Sequence, residues 1–97
     1  MDIVNVEDNT YQAASLLKAL SNEKRLLIMC ALSKGERSVG ELEEIVGLSQ
    51  SALSQHLARL RRDGLVKTRR EAQTIFYSSH DMASKKILDC LKEIYCP

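Results

Sequence analysis

A chain of 97 residues with 44% hydrophobic content has room for one domain and one core, and with four aromatic side chains and no Trp it is expected to bury surface against a second copy. No apolar run approaches the ~20 residues that cross a bilayer, and Met1 to Thr10 lacks the basic-then-apolar pattern of a signal peptide, so a soluble cytoplasmic protein is expected. The net charge of +1 is unevenly spread: residues 1–48 hold five basic and eight acidic side chains, residues 49–70 six and one, and residues 71–97 three and four, which excludes a generally sticky polycation and focuses a positive field on one stretch suited to an anionic surface.

Glu7 to Leu20 spaces Ala13, Leu16, Leu17 and Leu20 as a helix. Ser21 offers the N-cap of a second helix, Asn22 to Ser33, ended by Lys34-Gly35. Ser38-Val39-Gly40-Glu41 matches a capping box and opens a short helix that stops near Gly47. Ser49 caps the next helix, which runs to about Asp63 and stops at Gly64. The period then changes. Leu65, Val66 and Thr68, followed by Thr74, Ile75, Phe76 and Tyr77, are β-formers on either side of a polar bend, Arg70-Glu71-Ala72-Gln73, and predict a hairpin over residues 65–79. His80-Asp81 caps a last helix, Met82 to about Tyr95, with Ile87, Leu91 and Ile94 on one face. The expected fold is mainly α with a β-hairpin wing, in the order α-α-α-α-β-β-α, and residues 38–63 form a helix-turn-helix within a single domain of residues 1–97.

The segment SQSALSQHLARLRR carries the strongest functional signal. On a helical wheel at ~100° per residue, Leu57 and Leu60 fall within ~40° of Leu53 and form a core stripe. Ser51, Gln55, Ala58 and Arg62 cluster around the opposite pole, with Ser54 and Arg59 on the flanks. The second helix of a helix-turn-helix presents its N-terminal part to base edges in the major groove. There Gln bonds an adenine edge through two atoms, and Ser is short enough to allow close approach, whereas Glu would be repelled by phosphates. Gln50, Ser51, Ser54 and Gln55 are therefore the candidate base readers. Arg59 and Arg62, with Lys67, Arg69, Arg70 and Gln73 of the wing, are the candidate backbone contacts, supplying salt-dependent affinity and position. His56 lies ~60° from the core stripe, where both a half-buried structural role and a base contact stay open. An ordinary solvated helix with a basic face is disfavoured because helix, turn, polar face and basic hairpin follow in the order that DNA binding needs.

The stretches LSNEKRLLIMCAL, SVGELEEIVGLSQSALSQHLARLRRDGLVKTRREAQTIFY and the terminal IYCP resemble the ArsR/SmtB winged-helix repressors over nearly the whole chain. Within that family they are most similar to the HlyU-type and the sulfur-responsive YgaV, BigR and SqrR-type regulators. The resemblance implies a homodimer joined through the first and last helices, about residues 7–20 and 81–95. Two recognition helices would then stand one DNA turn (~34 Å) apart, on an inverted-repeat operator in double-stranded DNA. It also implies a bacterial regulator acting at the nucleoid.

The thiols suggest an input. Three cysteines without a secretion signal argue against a structural disulfide framework. Relatives that bind metal use a Cys-x-Cys pair where this chain has Arg37-Ser38-Val39-Gly40, or histidines on the last helix, which has none, so neither a metal site nor another cofactor is expected. Cys30 and Cys96 match the two cysteines of the sulfur-responsive subgroup. The resemblance implies a dithiol that an oxidant or reactive sulfur species converts to a disulfide or polysulfide bridge, altering DNA affinity. A ~100-fold change needs only about 2.7 kcal/mol of difference between binding and non-binding shapes.

Packing is the competing role for both thiols. Cys30 sits in an apolar helix, continuing the last helix puts Cys96 ~180° from Ile87, and no cation adjoins either in sequence. A HlyU-type activator or anti-silencer without thiol sensing is the alternative, and Cys90 is expected to pack or to make a dimer contact and not to sense. A thiol-disulfide enzyme would need an exposed Cys-x-x-Cys, which is absent, as is any nucleophile-base set, so no enzyme is expected. A winged-helix protein-interaction module would have no use for the Gln/Ser face.

Overall fold

A computed structural model describes residues 6–96, which form five helices and a small antiparallel sheet. The elements are α1 (Val6–Leu20), α2 (Glu23–Leu32), β1 (Arg37–Ser38), α3 (Val39–Val46), α4 (Gln50–Arg62), β2 (Val66–Glu71), β3 (Thr74–Ser79) and α5 (Met82–Tyr95). This is the expected winged helix-turn-helix with one added strand. Two residues are too few to show alternation, so β1 left no periodic signal. It is held by pairing to β3, Arg37 opposite Tyr77 and Ser38 opposite Phe76, giving the strand order β1-β3-β2.

Two boundaries differ from the sequence expectation. The N-cap of α2 is Asn22 and not Ser21: its extended backbone lets the side-chain carbonyl accept from the backbone N–H groups of both Lys24 and Arg25 at 3.0 Å. In the wing, Arg70 and Glu71 belong to β2, whose register with β3 runs unbroken from Val66–Ser79 to Glu71–Thr74. The bend shrinks to Ala72-Gln73, with Ala72 in the left-handed region at φ 56°. The wing tip extends beyond the core, so its strand residues are polar and resemble a loop in sequence.

The remaining ends form where the side chains dictate. Ser38 and Glu41 complete the capping box of α3, Ser38 N–H donating to Glu41 Oε1 at 2.9 Å and Glu41 N–H to Ser38 Oγ at 3.2 Å. Gly47 closes α3 at φ 70°. Ser49 caps α4 by accepting from Ala52 N–H, and Asp81 caps α5 by accepting from Ser84 N–H.

The core gathers around α2, with Ile28 and Met29 fully buried against Leu42 of α3, Leu53, Leu57 and Leu60 of α4, and Leu88 of α5. Arg25 is the charged side chain drawn into this packing, at 9% exposure. Its Nε donates to the Ala19 carbonyl at 2.6 Å and Nη2 to the Lys18 carbonyl at 3.1 Å, satisfying the open C-terminal end of α1. Burial lowers its pKa, Arg59 lowers it further, and Asp63 partly compensates. Among the described residues no helix is long and apolar enough to cross a membrane.

Candidate nucleic-acid interface

The leucine stripe of α4 is buried, with Leu53 and Leu60 at 0% and Leu57 at 2% exposure, so the opposite face is turned outward. Gln50, Ser51, Ser54, Gln55, Ala58 and Arg62 are all exposed, and His56 is half-buried. No side chain of Gln50, Ser51, Ser54 or Gln55 holds a hydrogen bond among the described residues, leaving their amides and hydroxyls open to an external partner. The first turn of α4 has no acidic residue and its last turn holds Arg59, Arg61 and Arg62. The partial positive charge of the helix N-terminus is thus left unopposed where a polyanion would approach.

The wing stands beside this helix. Between them runs an open cleft of about 600 Å³, lined on the helix side by Gln50, Ser54, Arg61 and Arg62 and on the wing side by Ile75 and Tyr77. Sequence reasoning did not single out Arg61. On the wheel it lies ~80° from Leu53, toward the flank, and only the position of the wing brings that flank onto the cleft. The only advance signal was its place in a row of arginines.

The basic residues divide by what holds them. Arg61, Lys67 and Arg70 are exposed and form no ion pair among the described residues. Arg62 lies 3.9 Å from Asp63, a weak pairing at the surface. Arg59 is half-buried and paired to Asp63 at 3.4 Å, facing the Arg25 side of the helix and not the cleft. Gln73 sits exposed at the wing tip.

Arg69, expected at the phosphates, is engaged within the free chain. Its Nη2 and Nε grip Glu36 at 2.8 and 2.9 Å, its Nη1 meets Glu71 at 2.7 Å, and the guanidinium lies 4.4 Å from the centroid of the Phe76 ring. The hydrogen bonds to Glu36 and then to Glu71 raise its pKa. Glu36 comes from the loop before β1, so this clasp ties the wing to the end of the α2 turn.

The thiols occupy a second region. Cys30 of α2 and Cys96 line one apolar cleft of about 360 Å³, together with Leu26, Leu27, Leu88, Leu91 and Tyr95. Cys30 is half-buried and Cys96 exposed. Helix α5 ends at Tyr95, Cys96 takes non-helical dihedrals of φ −134° and ψ 60°, and it lines the cleft despite the ~180° offset from Ile87 that a continued helix would give it. Cys90 is exposed on α5 and does not line the cleft.

This geometry has close counterparts. Residues 22–68 match the family described as bacterial regulatory protein, arsR family. The transcriptional activator HlyU of Vibrio cholerae is 53% identical over 99% of this chain and 89% of its own length, and the structure of reduced HlyU superposes with a TM-score of 0.91, covering 96% and 98% of the two chains. The HTH-type transcriptional regulator YgaV of Escherichia coli is 50% identical over 99% of this chain and 98% of its own. A homodimeric winged helix-turn-helix DNA-binding domain from Mycobacterium bovis, 28% identical over 93% of this chain and 83% of that one, gives a TM-score of 0.81. These relatives are regulators and not enzymes. With its exposed amide-and-hydroxyl helix face, basic wing and these relationships, the chain belongs to the arsR family of bacterial regulatory proteins and is a DNA-binding transcriptional regulator.

Proposed function

We propose that two copies pair through α1 and α5 and set their α4 helices in successive major grooves of an inverted-repeat operator, and that bridging Cys30 to Cys96 lowers operator affinity. In this reading Gln50, Ser51, Ser54 and Gln55 meet base edges, while Arg61, Arg62, Lys67, Arg70 and Gln73 meet the backbone, and Arg59, paired to Asp63 and turned from the cleft, serves the helix end. Arg69 enters through the position of the wing, since two carboxylates already balance its charge. The exposed apolar side chains of the two outer helices support pairing: Tyr11 and Leu17 on α1 are 75% and 55% exposed, and Met82, Ile94 and Tyr95 on α5 are 69%, 60% and 76% exposed. The homodimeric domain named above has the same architecture. Such a protein acts on the chromosome, in the cytoplasm.

The observation that carries the thiol input is the shared cleft of Cys30 and Cys96. A covalent link there ties α2, at the centre of the core, to the end of α5, and shifts DNA affinity by the difference in free energy it imposes between the two shapes. The test is operator binding by reduced, peroxide-treated and persulfide-treated protein, with mass measurement of the Cys30–Cys96 linkage. Treated protein is expected to release operator and to carry the linkage, and Cys30→Ser is expected to bind when reduced but to ignore both treatments. A Cys30→Ser variant that still responds sinks the sensor reading. It leaves a DNA-binding activator or anti-silencer in which the half-buried Cys30 only packs.

A further inference from the structure

The sequence places no cation next to Cys30 or Cys96, but folding puts one on the cleft that both line. Lys92 lines the same cleft. Its ammonium donates to Ser33 Oγ at 2.8 Å, and the Ser33 hydroxyl donates to the Cys30 carbonyl at 2.6 Å. Lys92 is half-buried and forms no ion pair among the described residues. The other charged residue on the cleft, Glu23, is exposed. A partly desolvated ammonium without a carboxylate attracts an anion. Apolar walls then select among anions, because phosphate and sulfate hold their water too strongly to enter, while a large polarizable anion enters at lower cost. Hydropersulfide and polysulfide anions combine such a body with a negative charge.

We infer that Lys92 is a positioning residue that draws an anionic sulfane-sulfur donor into the cleft between Cys30 and Cys96, an inference that rests on the dithiol reading proposed above. The exposed Cys96 thiolate attacks the protonated outer sulfur of a donor RSSH in which R carries the negative charge, as the remaining sulfur chain of a hydrogen polysulfide anion does. A Cys96 persulfide forms and RS⁻ leaves. The Cys30 thiolate then attacks Cys96 Sγ, the disulfide forms, and HS⁻ leaves. Two cysteine thiols and one RSSH thus give one disulfide, one RSH and one H₂S. Two electrons pass from the cysteine pair to the sulfane sulfur, and the two cysteine protons end on the departing RS⁻ and HS⁻. Lys92 favours the anionic donor at entry and the anionic sulfur that departs at each step.

A purely structural lysine, capping the end of α2 through Ser33, would affect folding but would not discriminate between reagents. The test therefore compares sodium tetrasulfide, an anionic sulfane-sulfur donor, with diamide, a neutral thiol oxidant, timing the Cys30–Cys96 linkage by mass in wild type, Lys92→Gln and Lys92→Arg. Lys92→Gln is expected to slow the tetrasulfide reaction ~10-fold and the diamide reaction less than about twofold, with Lys92→Arg restoring most of the loss. Equal slowing of both reactions, or no slowing of either, overturns the inference while the dithiol reading stands. A wild-type protein that links with neither reagent overturns both.

Discussion

At the scale of single residues, the same charge has different consequences according to its neighbours. Lys67 and Arg69 stand two apart on one strand, yet Lys67 is unpaired among the described residues while Arg69 is held by Glu36 and Glu71. A side chain that exchanges carboxylates for phosphate releases little counterion. Lys67→Ala is therefore expected to weaken operator and random duplex alike and to reduce the slope of log affinity against log salt by about one. Arg69→Ala is expected to weaken both through a misplaced wing while leaving the slope nearly unchanged, measured by fluorescence anisotropy over a salt series. The helix face obeys another rule. Ser54→Ala and Gln55→Ala are each expected to lower operator affinity by about 1–3 kcal/mol more than affinity for random DNA, in the same competition assay. Equal losses on both duplexes would show that they do not read bases. The leucines and the polar pole of α4 were legible in the sequence because one helix sets their directions. The clasp around Arg69 was not, because Glu36 reaches it across 33 residues of chain.

At the scale of elements, the short α3 depends on its caps. A helix of eight residues gains little from propagation, so the reciprocal Ser38–Glu41 bonds determine where it begins. Ser38→Ala is expected to cost about 1 kcal/mol in urea denaturation. The pH dependence follows from the hydrogen bond donated by Ser38 N–H, which lowers the Glu41 pKa below its ordinary 4.5, with the Ser38 side chain and then Arg37 adding to the effect. A carboxyl depressed on folding contributes stability above its unfolded value, and that contribution fades as pH falls through the folded value. Wild type is expected to lose stability on acidification below about 4.5 more steeply than Glu41→Gln, measured by thermal melting across that range. These caps were legible because they are local, each spanning three residues. Asn22 displaced Ser21 as a cap because its longer side chain satisfies two N–H groups together, a choice that composition alone leaves open. Strand β1 could not be read at all, since its pairing partner lies on β3 at Phe76 and Tyr77.

At the scale of the molecule, the proposed pairing would let two reading heads act together. The outer faces of α1 and α5 display large apolar side chains that a lone chain leaves in water. Leu17→Glu combined with Ile94→Glu is expected to give a folded monomer by sedimentation equilibrium, with operator affinity at least ~100-fold weaker because each half-site then binds alone. A double variant that remains dimeric would place the subunit contact elsewhere. Amphipathic spacing disclosed these helices in the sequence, but it could not separate residues that face the core, such as Leu88, from those that face outward, such as Ile94. That division depends on where α2 lies.

Arg25 joins two of these parts. It clips the last carbonyls of α1 while lying in the field of Arg59 and Asp63 at the end of α4. The arm that would grip a sister subunit and the rod that would lie along the groove thus come within the field of one buried guanidinium. If the proposed pairing holds, torsion at the seam between subunits would reach the duplex as a mismatch of pitch, and the protein would let go by losing step with the double helix before any single nucleotide contact had been cut.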